Sequence, residues 1–413
     1  MNTPRSRHDF DAVIVGGGMV GLCLAALMAR DERLADWRVA LVEPQEARPP
    51  RDDEVDLRVS ALSRASQRIV TAAGAWDAIE PHAGPYRDMV VWDAASSLGR
   101  PDVLRFSAAE AGEPDLGHIA ENLRVAWALD QSPRLRSLTR LRTGFVSVEY
   151  GADVQKVSLA DGRTLSCALV IGADGASSPT REQAGIGRAG WKYDHTALVA
   201  HLRTERPHQE TAYQRFLPTG PLAFLPLRDG RVSIVWSTSH AEAAELQQLD
   251  PAEFSRRVTV ASDRVLGEAV LDSGRAGFPL ALWHAREYVR PGLALAGDAA
   301  HTIHPLAGQG VNLGFLDCAS LVQVLGDAVA AGDDFAGLRV LRRYERWRRS
   351  ENALVLGVCD SLKHLFGQQG VAVAAARRLG MQVVTSQPLM RRALVQRALG
   401  LEGDLPAIVK RAG

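Results

Sequence analysis

An α/β fold is what this 413-residue chain predicts: a discontinuous domain of strands and helices, an inserted antiparallel sheet, and a helical tail. Three observations carry that expectation. Near the start, a short apolar run passes at once into a glycine-rich turn and an apolar helix, the order of a βαβ unit. A second strand, loop and helix, Gly292 to Asp317, lies late in the chain. Between them, from Trp191 to Trp236, alternating runs broken by Pro and Gly read as strands of an antiparallel sheet. The early and late motifs must then meet in space, so one domain is built from pieces nearly the whole chain apart.

The first motif is the strand Asp11–Val15 followed by Gly16, Gly18 and Gly21 in G-x-G-x-x-G spacing, with LCLAALMAR continuing as a helix. The first glycine permits the tight turn, the second lets a pyrophosphate approach the backbone, and the third lets helix pack on strand. A second strand, Trp37–Val42, ends at Glu43, 22 residues after Gly21. That is the spacing of a carboxylate holding an adenosine ribose, and a carboxylate here suits a ribose without a 2′-phosphate. The glycines alone are a weak signal. In this strand, turn, helix, strand and acid context they point to a Rossmann-like dinucleotide site.

Two later turns add to it. The buried-strand pattern Cys167–Ile171 ends in Gly172–Ala173–Asp174–Gly175, where Asp174 can hold its loop by accepting backbone N–H groups beside a dinucleotide. Ahead of it, Phe145–Tyr150 and Lys156–Leu159 read as strands, with a hairpin signal at Asp161–Gly162. In the late stretch, the strand Leu293–Ala296 breaks at Gly297–Asp298, placing a carboxylate where it can accept from ribose-like hydroxyls. Helical spacing begins at about Gly310, and Gly308 and Gly310 leave backbone N–H groups free to face a ligand.

Gly297–Asp298 with His301, Pro305, Gly308, Gln309, Gly310 and Asn312 closely resembles a signature of flavoprotein aromatic hydroxylases. The resemblance implies that Asp298 binds the ribityl chain of FAD and that the helix start supports the flavin ring, with Pro305, Gly308 and Gln309 near it. It implies a phosphate or adenosine contact for Arg58, in the segment Glu54–Ser63 leading into a helix at about 65–73. It also implies a flavin contact for Arg124, and a place for Asp174 between FAD and a passing NAD(P)H. The stretches QRFLP (214–218), GPLAFLPL (220–227) and YERWR (344–348) narrow the resemblance to the ubiquinone-biosynthesis hydroxylase family, which is para-hydroxybenzoate-hydroxylase-like, over residues 10–406.

That family implies an FAD-dependent monooxygenase. It would hydroxylate the ring of a polyprenylated phenol or quinone precursor with O2 through a flavin C4a-hydroperoxide. No second G-x-G-x-x-G appears for a resident nicotinamide, so NAD(P)H is expected as a transient co-substrate. The expected FAD-binding domain comprises residues 1–75, 100–185 and 285–335, the substrate sheet 76–99 and 186–284, and the helical tail 336–413. Two alternatives stay open at this level: a hydroxylase of a small soluble phenol or secondary metabolite, and an FAD-containing assembly or lipid-presenting subunit without turnover.

Composition bounds the rest. An apolar fraction of 46% can fill a large core, and a net charge of zero argues against nucleic acid as a partner. Cys23, Cys167, Cys318 and Cys359 are far apart and read as reduced thiols of a cytoplasmic protein. His301 and His304 lack a carboxylate in suitable context, so no metal is expected. The polar N-terminus shows no secretory signal, and no window is expected to reach a spanning helix. From Arg339 onward, 14 Lys/Arg face 5 Asp/Glu, a basic surface suited to the inner face of a membrane or to a quinone-biosynthesis protein complex.

Overall fold

The computed structural model describes residues 8–302, 310–367 and 387–410. The nucleotide-binding half opens on β1 (Phe10–Val15), α1 (Met19–Arg30) and β2 (Val39–Val42). Then come β3 (Val59–Ser63), α2 (Arg64–Ala72), α3 (Trp76–Ile79), β4 (Gly84–Tyr86), β5 (Asp88–Asp93) and β6 (Leu104–Ser107). After α4 (Ala108–Ala111), β7 (Gly117–Glu121) and α5 (Asn122–Asp130), the chain runs through β8 (Thr139–Leu141), β9 (Phe145–Tyr150), β10 (Gln155–Leu159), β11 (Thr164–Gly172) and α6 (Pro179–Gln183). The large sheet follows: β12 (Arg188–Thr204), β13 (Thr211–Leu217), β14 (Gly220–Pro226), β15 (Val232–Ser239), α7 (His240–Gln248), α8 (Pro251–Ala261) and β16 (Ala269–Ala285). Closing the fold are β17 (Val289–Arg290), β18 (Leu293–Leu295), β19 (His301–Thr302), α9 (Gly310–Ala331), α10 (Leu338–Gly367) and a last helix, Pro388–Ala398.

Strands β18, β11, β1, β2 and β8 lie side by side, each neighbouring pair parallel. Parallel strands covered by helices on both faces must be apolar throughout, and Ala12, Val13, Ile14, Leu169, Val170, Ile171 and Leu293 are fully buried. The pairing brings β18, late in the chain, to within one strand of β1. Helix α9 then lies against α1, where Gly314 is needed: a Cβ there would come within 2.7 Å of Val20.

The second sheet runs β19-β16-β12-β15-β14-β13-β5-β6. It differs from the expected antiparallel sheet in one pairing, β13 with β5, which is parallel. The boundary expected at residue 99/100 also moves, because β6 pairs with β5 in this sheet. Conversely Trp76, Ile79 and Ala83, expected with the substrate sheet, pack into the nucleotide-domain core. The 17-residue β16 has no apolar alternation over SGRAG (273–277), which is why sequence periodicity does not reveal it.

Helix α9 corrects a further expectation. By length and composition Gly310–Ala331 could cross a membrane, but most of it is buried inside the protein, between α1 and α10. Its apolar character serves the core. Cys23, Cys167 and Cys318 are buried and free.

Candidate functional site

At the end of β1 the glycines are required by space as well as by conformation. Gly16 has φ +103°, and a Cβ on it would sit 2.5 Å from the Ala173 carbonyl oxygen, in the turn after β11. A Cβ on Gly21 would sit 1.9 Å from the Gly16 oxygen. Gly18, by contrast, caps α1 with no side-chain hydrogen bond, and a Cβ there would meet nothing within 4 Å. The N-terminus of α1 therefore presents free N–H groups, with the helix dipole behind them, to open space.

Glu43 sits beside this turn. One of its carboxylate oxygens accepts from Gly17 N–H at 2.7 Å, the other from Gln45 N–H at 3.0 Å. Gly17 occupies a variable position of the motif, yet a Cβ on it would lie 2.7 Å from the Glu43 side chain.

Gly297, with φ +61°, turns the chain from β18 into a short 3-10 turn that carries Asp298. Asp298 is solvent-exposed, yet the enclosing protein pushes its pKa up, against the opposing charges of His301 and Arg58. Exposure together with enclosure describes a carboxylate on the floor of a cleft.

Behind this turn is a polar cluster centred on Asp317, which is fully buried in the middle of α9. One carboxylate oxygen accepts from Gly297 N–H at 3.1 Å and from His301 Nε2 at 2.5 Å. The other accepts from Arg348 Nε at 2.9 Å and Asn352 Nδ2 at 3.2 Å. Burial alone would raise the Asp317 pKa, but the charges and hydrogen bonds of His301 and Arg348 outweigh it and hold the group at about 2. Asn352 also reaches the Tyr288 hydroxyl, which contacts His284 Nε2 at 2.7 Å. The tail helix α10 thus fixes the turn bearing Asp298, an arrangement that needs a buried acid in α9 and a buried base in α10.

The remaining candidates divide. Asp174 accepts from Thr180 N–H at 2.9 Å and Thr180 Oγ1 at 2.7 Å through one oxygen, while its other oxygen is buried without a partner in the described residues. Arg58 precedes β3 in place of a helix start, lies over the Phe278 ring at 5.3 Å and acts electrostatically on Asp298. Among the described residues its neighbours are thus the Phe278 ring of the larger sheet and the turn bearing Asp298.

Arg124 is buried and already engaged by Glu121, Asp52 and the Arg51 carbonyl. Its guanidinium holds the loop ahead of β3, because a buried charge needs fixed partners. Asn312 similarly gives its oxygen to Ser63 N–H and the Ser66 hydroxyl and its amide to Ala61 O at 2.8 Å, joining α9 to β3 and α2. What it retains for a ligand is its backbone and one amide proton. Gly310 begins α9. Pro305, Gly308 and Gln309 lie outside the described residues.

Sequence reasoning missed Asp317, Arg348 and Asn352. The available signal was an acid in the interior of an otherwise apolar helix, which requires a buried base from elsewhere.

These turns fit a dinucleotide. An uncapped helix N-terminus suits the pyrophosphate, a carboxylate beside it the adenosine ribose, and a cleft-floor carboxylate further along the polyhydroxy chain of FAD. A parallel-sheet nucleotide domain under a second, roofing sheet defines the class: an FAD-dependent aromatic-ring monooxygenase. An FAD binding domain family matches residues 9–356. The chain is 36% identical over 395 residues to 3-demethoxyubiquinol 3-hydroxylase of Escherichia coli, covering 95% of this chain and 98% of that protein. It is 35% identical to the mitochondrial ubiquinone biosynthesis monooxygenase COQ6 of Homo sapiens, over 91% of this chain and 90% of that one. Among solved structures, p-nitrophenol 4-monooxygenase from Pseudomonas putida shares the fold with a TM-score of 0.74 at 18% identity, covering 94% of this chain and 98% of that one. The chain belongs to the FAD-dependent hydroxylase family of ubiquinone biosynthesis.

Proposed function

We propose that this protein hydroxylates the aromatic ring of a polyprenylated ubiquinone precursor, taking electrons from NAD(P)H and oxygen from O2. One structural observation carries the substrate reading. The two faces of the large sheet differ: one is filled by bulky Leu198, Trp236, Phe224 and Trp92 packed against Phe254 of α8. The face toward the nucleotide domain sets the small Ala197, Ala223 and Val235 among Tyr193, Leu280, Leu282 and Leu225, and meets Leu313 of α9 and Ala61 of β3. An apolar and aromatic surface over the start of α9, with few polar groups, suits a flat, oily ring and excludes water from it.

In this reading the α1 N-terminus and Glu43 hold the adenosine diphosphate part of FAD, Asp298 accepts from its ribityl hydroxyls, and the start of α9 supports its ring. Asp174 stands at the edge of the same site, where the nicotinamide co-substrate passes. FAD supplies the electron transfer to dioxygen that amino-acid side chains cannot. The exposed arginines of α10, Arg339, Arg342, Arg346 and Arg349, recur at helical spacing on one side of the helix. We assign this face to the anionic membrane surface in which a prenylated substrate resides, or to a partner of the same pathway.

The test is turnover of FAD-loaded protein with a prenylated phenol under isotopically labelled O2. Labelled oxygen in the ring product, with substrate-stimulated NAD(P)H oxidation, is the expected result. Tight flavin binding with neither signal refutes the proposal.

A further inference from the structure

A polar crevice of about 60 Å³ runs between α9, α10 and the tail segment that follows the last helix. Its buried end holds Ser63, the N-cap of α2, and Asn312 in the first turn of α9. Arg348, Glu351 and Arg397 line it further out, and the exposed Glu402 and Asp404 stand at its mouth. The tail wall is fixed at three points: Leu399 O accepts from Ala65 N–H at 3.1 Å, Asp404 O accepts from Trp347 Nε1 at 2.7 Å, and Ala407 N–H donates to Gln323 Oε1 at 2.8 Å. One water needs ~10–15 Å³ and two to four polar partners, so the crevice has room for a short row of them.

Its walls offer those partners. Arg348 gives Nε to Asp317 and Nη2 to Asn352, which leaves Nη1 without a partner among the described residues. Arg397 reaches Glu351 Oε2 through Nη2 at 3.1 Å, but its buried Nε has no partner among the described residues, and Glu351 Oε1 accepts no hydrogen bond from them. Asn312 keeps one amide proton beyond its bond to Ala61 O. Three carboxylates against two guanidiniums leave the lining without net positive charge, so it does not repel a proton. The other side of the first turn of α9 is different: there Leu313 packs with Tyr193, Leu280 and Leu282 of the large sheet, a surface that excludes water.

We propose that this crevice is the proton inlet of the site, with Glu351 taking protons from solvent and passing them along water to the first turn of α9. The inference rests on the hydroxylase reading above and assigns a route to a reactant which that reading requires. Hydroxylation puts one atom of O2 into a ring C–H bond and releases the other as water. NAD(P)H supplies a hydride, so one proton per turnover must come from solvent. Oxidation of NAD(P)H by O2 to hydrogen peroxide consumes one proton as well. Glu351 takes the proton at a carboxylate oxygen and gives it up to the next water, so it ends each cycle unchanged and acts without touching the reacting atoms.

The test follows NAD(P)H oxidation by FAD-loaded protein in H2O and in D2O. Glu351→Gln keeps the shape and removes the proton-accepting group; it is expected to slow oxidation about tenfold, less than the ~10²–10⁴ of a side chain at the reacting atoms. It should also gain a solvent isotope effect that the wild type lacks, with FAD affinity and melting temperature unchanged. Glu351→Asp is expected to restore most of the rate. Arg397→Met breaks the same ion pair but keeps the carboxylate, and is expected to run as wild type. A crystal structure of the FAD-loaded protein is expected to show ordered water from Asn312 to Glu351. A dry crevice overturns the inference, and so does a Glu351→Gln variant with the wild-type rate and no isotope effect. Equal losses in Glu351→Gln and Arg397→Met, or loss of FAD in the former, also overturn it, because the ion pair is then a structural tie. Labelled oxygen in the wild-type ring product with unaffected variants refutes this route alone. Oxidation slowed in Glu351→Gln, with no ring product from the wild type, refutes the hydroxylase reading alone. A wild type that oxidises no NAD(P)H refutes both.

Discussion

Asp317→Asn tests how far the site depends on its buried support. The substitution preserves shape, but two carboxylate oxygens that accept four hydrogen bonds become one oxygen and one NH2 group. Whichever way the amide turns, its NH2 faces two donors: Gly297 N–H with His301, or Arg348 with Asn352. Arg348, 2% exposed, is left as a buried charge without its counter-charge. Breaking such a pair from one side costs about 3–5 kcal/mol, a large part of the ~5–15 kcal/mol that holds a folded chain together. A melting temperature lower by about 4–6 °C is expected, with weaker FAD binding because Gly297 and Asp298 lose their anchor. Thermal melts of loaded and unloaded protein, with a flavin titration, measure both. Adding Arg348→Met should recover part of the stability, since the second change removes the stranded charge. A single variant that melts within about 2 °C of wild type and binds FAD normally would refute the claim that this cluster supports the site.

Further outcomes follow from the same geometry. Gly18→Ala should fold and melt as wild type without FAD, because its Cβ meets no protein atom, yet bind FAD at least about a hundredfold more weakly; Gly21→Ala should lose the fold itself, its Cβ lying 1.9 Å from the Gly16 oxygen. Flavin titration and circular dichroism separate the two. Glu43→Gln should keep the Gly17 contact but lose about tenfold in FAD affinity, because a neutral amide is a weaker acceptor for ribose hydroxyls. The pH dependence has a definite sign at His284: burial, helped by the charge of His301, lowers its pKa to about 4, so the unfolded chain takes up that proton first. Stability should therefore fall as pH drops from about 6.5 toward 4 and then level off, by about 1–2 kcal/mol after discounting partial exposure. In urea melts across that window His284→Gln should show the shallower slope.

Much of the nucleotide domain was legible because its signals are local. G-x-G-x-x-G, an apolar strand on each side and Glu43 lie within 34 consecutive residues, and the short-range backbone rules that select glycine there act within a turn. The wording at Gly297–Asp298 and the tail pentapeptide YERWR (344–348) carried the family for the same reason. Arg124 and Asn312 show what that kind of reading leaves open. A polar residue in the right segment can face a ligand or bind neighbouring loops, and sequence position does not say which; here Glu121, Asp52, Ser63, Ser66 and Ala61 claim their side chains. Strand β16 escaped because its middle lacks alternation, and its place comes from pairing with β12.

By itself, the sequence determined the class of fold, the dinucleotide turn and the family, since each is written in residues a few positions apart. Only the tertiary structure decided that Asp317 in α9 and Arg348 in α10 would meet behind Gly297, and that Asn312 would tie α9 to β3 and α2. Buried charges and amides are placed by what surrounds them, and those surroundings come from segments tens to hundreds of residues away.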